Sequence, residues 1–312
     1  MACFFSSGHS EGHLGLAKKL GWQAAQLCEM ANLGLPVPPG FCLKPGPEPW
    51  SSAKMALNQV ETVMQQELGN REAPLLLSVR NSDCEVSSIG LSDEIAEQLA
   101  SRQNPNCVWD SYRRLIVSYA QVVHNLDAAP FEQELERETY KDIYQQQTGD
   151  AFPQDPSVQL QKAFCCLMVL MVQFMVADDH ARHCPNDATV VTEMNKRGGS
   201  NICPEKAMEA VHGVQADPAE SGAAIVQAMV FGNYDFRRST GSKFTDFQSG
   251  AGKLMLQNAD GTPCDFSGTW LPKAQREDIS AKKRPDQQLT LQDFSIVNEN
   301  QQMLNEIWDR RP

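Results

Sequence analysis

Ala223-Ala224-Ile225-Val226-Gln227-Ala228-Met229-Val230-Phe231 is the stretch on which the reading of this chain turns. It is apolar but for one amide, has β-branched residues at its centre, and runs as a strand does. The residues N-terminal to it are dominated by helical spacing. Those C-terminal to it are richer in strand signals, with Ser249-Gly250 and Asp260-Gly261 as turns between short apolar runs at Gly241–Thr245 and Lys253–Leu256. An α-rich first two thirds with a strand-rich end predicts an α+β architecture in two lobes.

Near the N-terminus, Leu16, Leu20, Ala24 and Leu27 predict a helix over Leu14–Met30, with Gly34 as its stop. The prolines of Pro36-Val37-Pro38-Pro39 force an extended path into a short strand at Phe41–Leu43. A helix is expected over Ser51–Leu68, capped by Ser51 or Ser52. Leu75–Arg80 reads as a buried strand delivering Arg80 at its end, and Asn81–Ser88 as a loop. Helices are expected at Ser92–Ser101, Trp109–His124, Phe131–Gln147, after Pro156 and at Pro204–His212. A polar insertion is expected at 178–200, and a helical tail from Gln287 to Trp308.

Lys and Arg number 27 and Asp and Glu 39, a net charge of −12. A chain this acidic repels phosphate backbones and anionic bilayers at long range, so neither nucleic acid nor a membrane surface is expected as a partner. Ten cysteines occur without a CxxC pair or regular spacing, which suits a reducing, cytoplasmic setting better than secretion. The N-terminal sequence lacks a basic-then-apolar signal and an Arg-rich transit pattern. The longest apolar run is residues 163–177, AFCCLMVLMVQFMVA. It is short of the roughly 20 residues that span a bilayer. It reads as a buried helix or as one that packs on a protein partner.

An ordered set of motifs carries a resemblance. LGWQAAQLCEM (20–30) and NLGLPVPPGF (32–41) resemble LGGKGANLAEM and NLGIPVPPGF, the opening of pyruvate phosphate dikinase. Ser78-Val79-Arg80 resembles SVRSGA, residues 109–116 resemble DSYRRFI, and residues 149–156 resemble DFPQDP. Residues 226–233, VQAMVFGN, match that family's motif without a change. Thr240-Gly241, Phe244-Thr245 and Ser249 resemble TGVAFTRNPSTGE, and Asn258-Ala259 with Gly261 echo NAQGED. The resemblance covers most of residues 14–268. It implies an ATP-grasp-like, two-lobed nucleotide-binding domain with an inserted helical subdomain: a first lobe over 1–100, the helical insertion over 101–220, and a strand-rich second lobe with its tail over 221–312. In that family the domain passes a phosphoryl group from ATP to a histidine on a separate swivelling domain, and a barrel handles pyruvate and phosphoenolpyruvate. ATP and Mg²⁺ are therefore the implied ligands.

The departures fall on the phosphate side. Gln23 stands where the resemblance implies an ATP-contacting lysine, and Trp22 where it implies a glycine. Asp246 stands at the arginine of TRNP, a reversal of charge. The loop after SVRSGA and the acid of GEYL have no counterpart, and no histidine sits in the family's phosphohistidine context. Phosphoryl transfer rests on cations held around the γ-phosphate, and losing one such group costs about 10²–10³ in rate. Arg80, Arg113 and Arg114 remain as candidate phosphate ligands. The alternatives are an ion pair for Arg80 and a solvated helix face for the other two. The resemblance assigns Gln227, Met229 and Val230 to the adenine pocket, with strand core and hinge as their alternative.

Elsewhere, His180 and His183 with Cys184 or Cys203 have metal-like spacing, but a polar loop is the simpler reading and no metal is expected. Residues 273–284 form a local basic strip, read as a solvated linker or a docking strip. Three functions stay open: a catalytically impaired nucleotide-binding or scaffold protein, an active phosphotransferase subunit working with separate domains, and a purely structural interaction protein. Whether the chain is an enzyme on its own stays open with them.

Overall fold

The computed structural model describes residues 2–45, 49–81, 84–131, 137–183, 222–231, 239–240, 243–244, 250–257, 263–272, 274–275, 278 and 287–289. Two units divide the chain, residues 1–229 and 230–312.

The first unit is built on a six-stranded antiparallel sheet. Its strands are β1 (Ala2–Ser6), β2 (His9–Ser10), β3 (Gly40–Leu43), β4 (Leu77–Arg80), β5 (Glu85–Ile89) and β6 (Ala224–Ala228). Their order across the sheet is β2-β1-β3-β6-β4-β5. The apolar 223–231 stretch thus supplies a central strand. It pairs with β3 through Gly40 to Leu43 on one side and with β4 through Leu77 to Arg80 on the other. The sequence reading assigns 221–312 to a second lobe; the strand at 224–228 lies inside the first unit.

Side chains alternate across a strand, and here the alternation separates two cores. Phe4, Phe41, Leu43, Leu77, Val79 and Val226 face one side, where they meet the helices α3 (Pro49–Met64), α5 (Pro105–His124) and α7 (Pro156–His183). Cys3, Phe5, Cys42 and Ile225 face the other, where they meet α2 (Trp22–Asn32). Phe5 and Phe41 are wholly buried on opposite faces, each a stabilisation of about 1.5–3 kcal/mol. The helices of 101–183 share their core with the first hundred residues, because α5 lays Tyr112, Leu115, Ile116, Tyr119 and Ala120 against the sheet.

Local chemistry explains most helix ends. Ser92 caps α4 (Asp93–Arg102) by accepting from the Ile95 N–H at 3.2 Å, with Asp93 and Glu94 in the first turn. Asn104 caps α5 ahead of Pro105, and Asn125 closes it in a left-handed conformation. Asp93 then ties this layer together, accepting from the Tyr112 hydroxyl at 2.8 Å and from Lys141 Nζ at 3.0 Å, on α6 (Arg137–Thr148).

Several expectations change. The helix expected over 14–30 is a 3₁₀ turn at Leu14–Leu16, a short α1 (Ala17–Leu20) and then α2. Gly21 separates them at φ +79°, where a Cβ would fall 2.8 Å from the Gly222 Cα. The expected 51–68 helix starts at Pro49 and ends at Met64. The expected 81–88 loop holds β5, whose polar residues pair with β4 with a register shift and with Ser88 at φ +60°. The N-terminal strand β1 has no counterpart in the sequence reading. The expected loop from 178 continues α7 as far as His183.

Among its described residues the second unit contains two ladders. A short pair joins β7 (Ser239–Thr240) to β8 (Lys243–Phe244). The other is a three-stranded antiparallel sheet in the order β11-β10-β9, formed by β9 (Gly250–Gln257), β10 (Pro263–Pro272) and β11 (Gln287–Leu289). The expected helical tail therefore opens with a strand; residues 290–312 lie outside the described set, as does the helix expected at 204–212. Of the apolar run, Ala163, Phe164, Cys165, Leu167, Met168 and Met171 are buried within the chain's own core. Side chains beyond 171 on that helix are not described. Among the described residues, no helix is long and apolar enough to cross a membrane.

Gly40 marks the tightest contact in the central sheet. A Cβ there would stand 2.5 Å from the Val226 carbonyl oxygen and 2.8 Å from the Phe5 ring. Gly40→Ala is expected to lower stability by about 1–3 kcal/mol, read as a lower urea midpoint with unchanged slope.

Candidate functional site

Arg80 and Gln227 meet on the face of the sheet that α2 covers. Arg80 ends β4, opposite Ile225 on β6, and Gln227 lies two residues further along β6 on the same face as Ile225. That is the face α2 covers through Ala24 and Cys28, with Leu20 of α1 beside them. The helix start is held to this end of the sheet. Gly21 packs against Gly222, and the Leu20 carbonyl accepts from the Ala223 N–H at 2.8 Å, one residue before β6.

Gln227 is a buried clamp. Its Oε1 accepts from Arg80 Nη2 at 2.9 Å, and its Nε2 donates to the Pro38 carbonyl at 3.0 Å. The side chain therefore holds the end of β4 and the proline-rich approach to β3 at once. Arg80 thus donates to an amide oxygen. Glu85 is its register partner on β5. Met229 continues the strand: its N–H donates to the Leu76 carbonyl at 2.9 Å, and its sulfur accepts from the Ser88 N–H at 2.8 Å. Beside it, Ser88 Oγ is buried without a hydrogen-bond partner. Val230 is 72% exposed.

Gln23 occupies the first turn of α2 and is exposed, next to Trp22, which is 60% exposed. Gly21 gives this helix no side-chain cap. The first N–H groups of such a helix and its dipole favour an anion. A neutral glutamine adds hydrogen bonding there and no charge.

Arg113 and Arg114 take a different place. They belong to α5, on the opposite face of the sheet, and both close on Asp110: Arg113 Nη2 at 2.8 Å from Oδ1, Arg114 Nε at 2.8 Å from Oδ2. Arg113 also lies over the Tyr140 ring at 5.8 Å. Burial by itself would raise the Asp110 carboxyl; the Arg114 charge and the hydrogen bonds from both guanidiniums outweigh it and hold it below its ordinary value. The structure brings Arg80 and Gln227 together and does not bring this pair to them. Asp246 lies outside the described residues, as do Cys184 and Cys203, and the side chains of His180 and His183 are not described. Among the described residues, no group of three or more His, Cys, Asp or Glu side chains is arranged to hold a metal ion.

The Gln227 clamp was not readable from sequence, since it joins residues 147 and 189 positions apart. The unbroken VQAMVFGN motif was the available signal that this strand mattered.

No family model matches the chain. Curated relatives do. It is 29% identical over 329 aligned residues to "Pyruvate, phosphate dikinase 1, chloroplastic" of Oryza sativa subsp. japonica, covering 91% of this chain and 30% of that protein. It is 29% identical over 331 residues to "Pyruvate, phosphate dikinase" of Rhizobium meliloti (strain 1021), covering 92% and 32%. A match to the Mesembryanthemum crystallinum "Pyruvate, phosphate dikinase, chloroplastic" reaches 31% over 202 residues, 51% of this chain and 21% of that protein. The chain thus spans about a third of the length of the relatives it matches.

Two measurements test the geometry. Gln227→Leu leaves the Pro38 carbonyl and an Arg80 donor without this partner, and is expected to cost about 1–3 kcal/mol in chemical unfolding. The Asp110 carboxyl has a folded value depressed below its ordinary 3.8. Its ionised form therefore stabilises the fold above that pH, and the contribution is lost as pH falls through the folded value. The stability gap between wild type and Asp110→Asn is expected to hold from neutral pH down to about pH 5 and to shrink below the unfolded value.

Proposed function

We propose, from the homology of this chain to one part of the pyruvate phosphate dikinases, that it is a nucleotide-binding domain of the phosphotransferase type that binds ATP without transferring its phosphoryl group unaided. One observation carries the reading. The α2 N-terminus and Arg80 share a face and an end of the sheet, a setting for a phosphate, yet the side chain presented there by α2 is Gln23.

That asymmetry sets the chemistry. Helix N–H groups and one guanidinium hydrogen-bond a phosphate and hold it. Transfer needs more: charge building on the γ-phosphoryl oxygens must be met by fixed cations. The amide of Gln23 supplies none, and Asp246 is an acid where the family motif has an arginine. The strand end at Gln227 and Met229 supplies an amide and a polarisable thioether, which suit the edge and face of an adenine ring. Guanidinium, amide and backbone N–H groups are anion and base ligands. They do not fit Mg²⁺, which prefers carboxylates together with nucleotide phosphates, and no step here runs through that ion.

The test is a titration of the chain with ATP, ADP and AMP, with and without Mg²⁺, by calorimetry or thermal shift. ATP is expected to bind with weak Mg²⁺ dependence, and Arg80→Ala to weaken it about tenfold. Gln23→Lys is expected to tighten ATP more than AMP. Absence of any ATP response at millimolar concentration overturns nucleotide binding in favour of a purely structural role. Phosphoryl transfer to a supplied phosphohistidine domain of a related dikinase, at that enzyme's own rate, overturns the impaired reading in favour of an active subunit.

A further inference from the structure

We propose that Gln227 is a positioning residue: its amide sets the Arg80 guanidinium in the orientation in which it takes a phosphate oxygen. This rests on the nucleotide reading above and adds to it the side chain that prepares the phosphate end. The sheet dictates the pairing. Gln227 lies opposite Ser78 on β4, and Arg80 lies two residues beyond Ser78, opposite Ile225. Arg80 is thus the diagonal neighbour of Gln227 on one face, a separation that long side chains bridge. On its other side Gln227 lies opposite Gly40 of β3. No side chain fills that cross-strand position, and the amide nitrogen of Gln227 reaches the Pro38 carbonyl just ahead of it at 3.0 Å.

Both ends of the amide are engaged within the chain. Nε2 is anchored on a backbone oxygen, which fixes the plane of the amide and with it the direction of Oε1. Oε1 accepts from Arg80 Nη2 at 2.9 Å. Gln227 is 8% exposed, so water competes little for either bond, and each is stronger than on an open surface.

A guanidinium is a planar fork of five N–H groups, so holding one of them orients the rest. Arginine is rich in rotamers, and an arginine set in advance loses less freedom when it closes on a ligand. The amide orients Arg80 without adding a negative charge, which a carboxylate at position 227 would. Gln227 thereby acts on the phosphate through Arg80, and its effect exists only while Arg80 is present.

The experiment titrates the full chain with ATP, adenosine and inorganic tripolyphosphate by calorimetry, in wild type, Arg80→Ala, Gln227→Met and the double variant. Methionine keeps the length of the side chain and removes the amide. Gln227→Met is expected to weaken tripolyphosphate about tenfold, as Arg80→Ala does. The double variant is expected to bind it no more weakly than Arg80→Ala alone, the mark of coupled residues. An equal loss from Gln227→Met with and without Arg80 overturns the proposal, because a merely structural role gives that result. A loss confined to adenosine overturns it as well, since Gln227 is then a base contact alone. Wild-type ATP binding with tripolyphosphate affinity unmoved by Gln227→Met overturns this inference and leaves nucleotide binding standing. No response of the wild type to ATP or tripolyphosphate overturns both. If Gln227→Met fails to fold, nitrogen NMR of the wild type decides: the Arg80 guanidinium signals, assigned by their loss in Arg80→Lys, are expected to show slow rotation about Nε–Cζ, and a freely rotating guanidinium overturns the proposal.

Discussion

Strand β6 hydrogen-bonds to β3 on one side and β4 on the other, and the sheet of the first unit is continuous only because it does. β3 and β4 are close in sequence, whereas β6 arrives from far along the chain. Without it, β1–β3 and β4–β5 are two separate groups, and neither could carry helices on its faces as one surface. The long-range pairing fixes Gly40 against the Val226 carbonyl and Gly21 against Gly222. It also decides which side chains meet: Gln227 reaches both Pro38 and Arg80 because β6 runs between them.

The same strand separates the two chemistries of this unit. On the face carrying Phe41, Val79 and Val226, α3, α5 and α7 build a large apolar core. The other face is covered by α2 and also carries Arg80 and Gln227. The proposed phosphate recognition belongs to this second face, where Arg80 and Ile225 are register partners.

Much of the chain was legible. Helical spacing, the prolines before Phe41 and the apolar runs pointed to α4, α5, α7, β3, β4 and β6 within a few residues, because these signals are local. β5 was not legible: Glu85-Val86-Ser87-Ser88 is polar and looks like a loop. Pairing with β4 and the Ser118 hydroxyl, which accepts from the Ser87 N–H at 3.3 Å, makes it a strand. The break at Gly21 was hidden for a similar reason, since the periodicity runs through it and only the folded backbone, at φ +79° and against Gly222, demands a glycine.

Sequence alone supplied the candidate residue types and the charge lost at Gln23 and Asp246, since substitutions within an ordered motif set need no coordinates. Which candidates act together was settled by folding. Arg80 and Gln227 share a face because Arg80 and Ile225 are register partners and Gln227 lies two residues beyond Ile225. Arg113 and Arg114 are committed to Asp110 on the other side of the sheet, because one helical turn brings all three together.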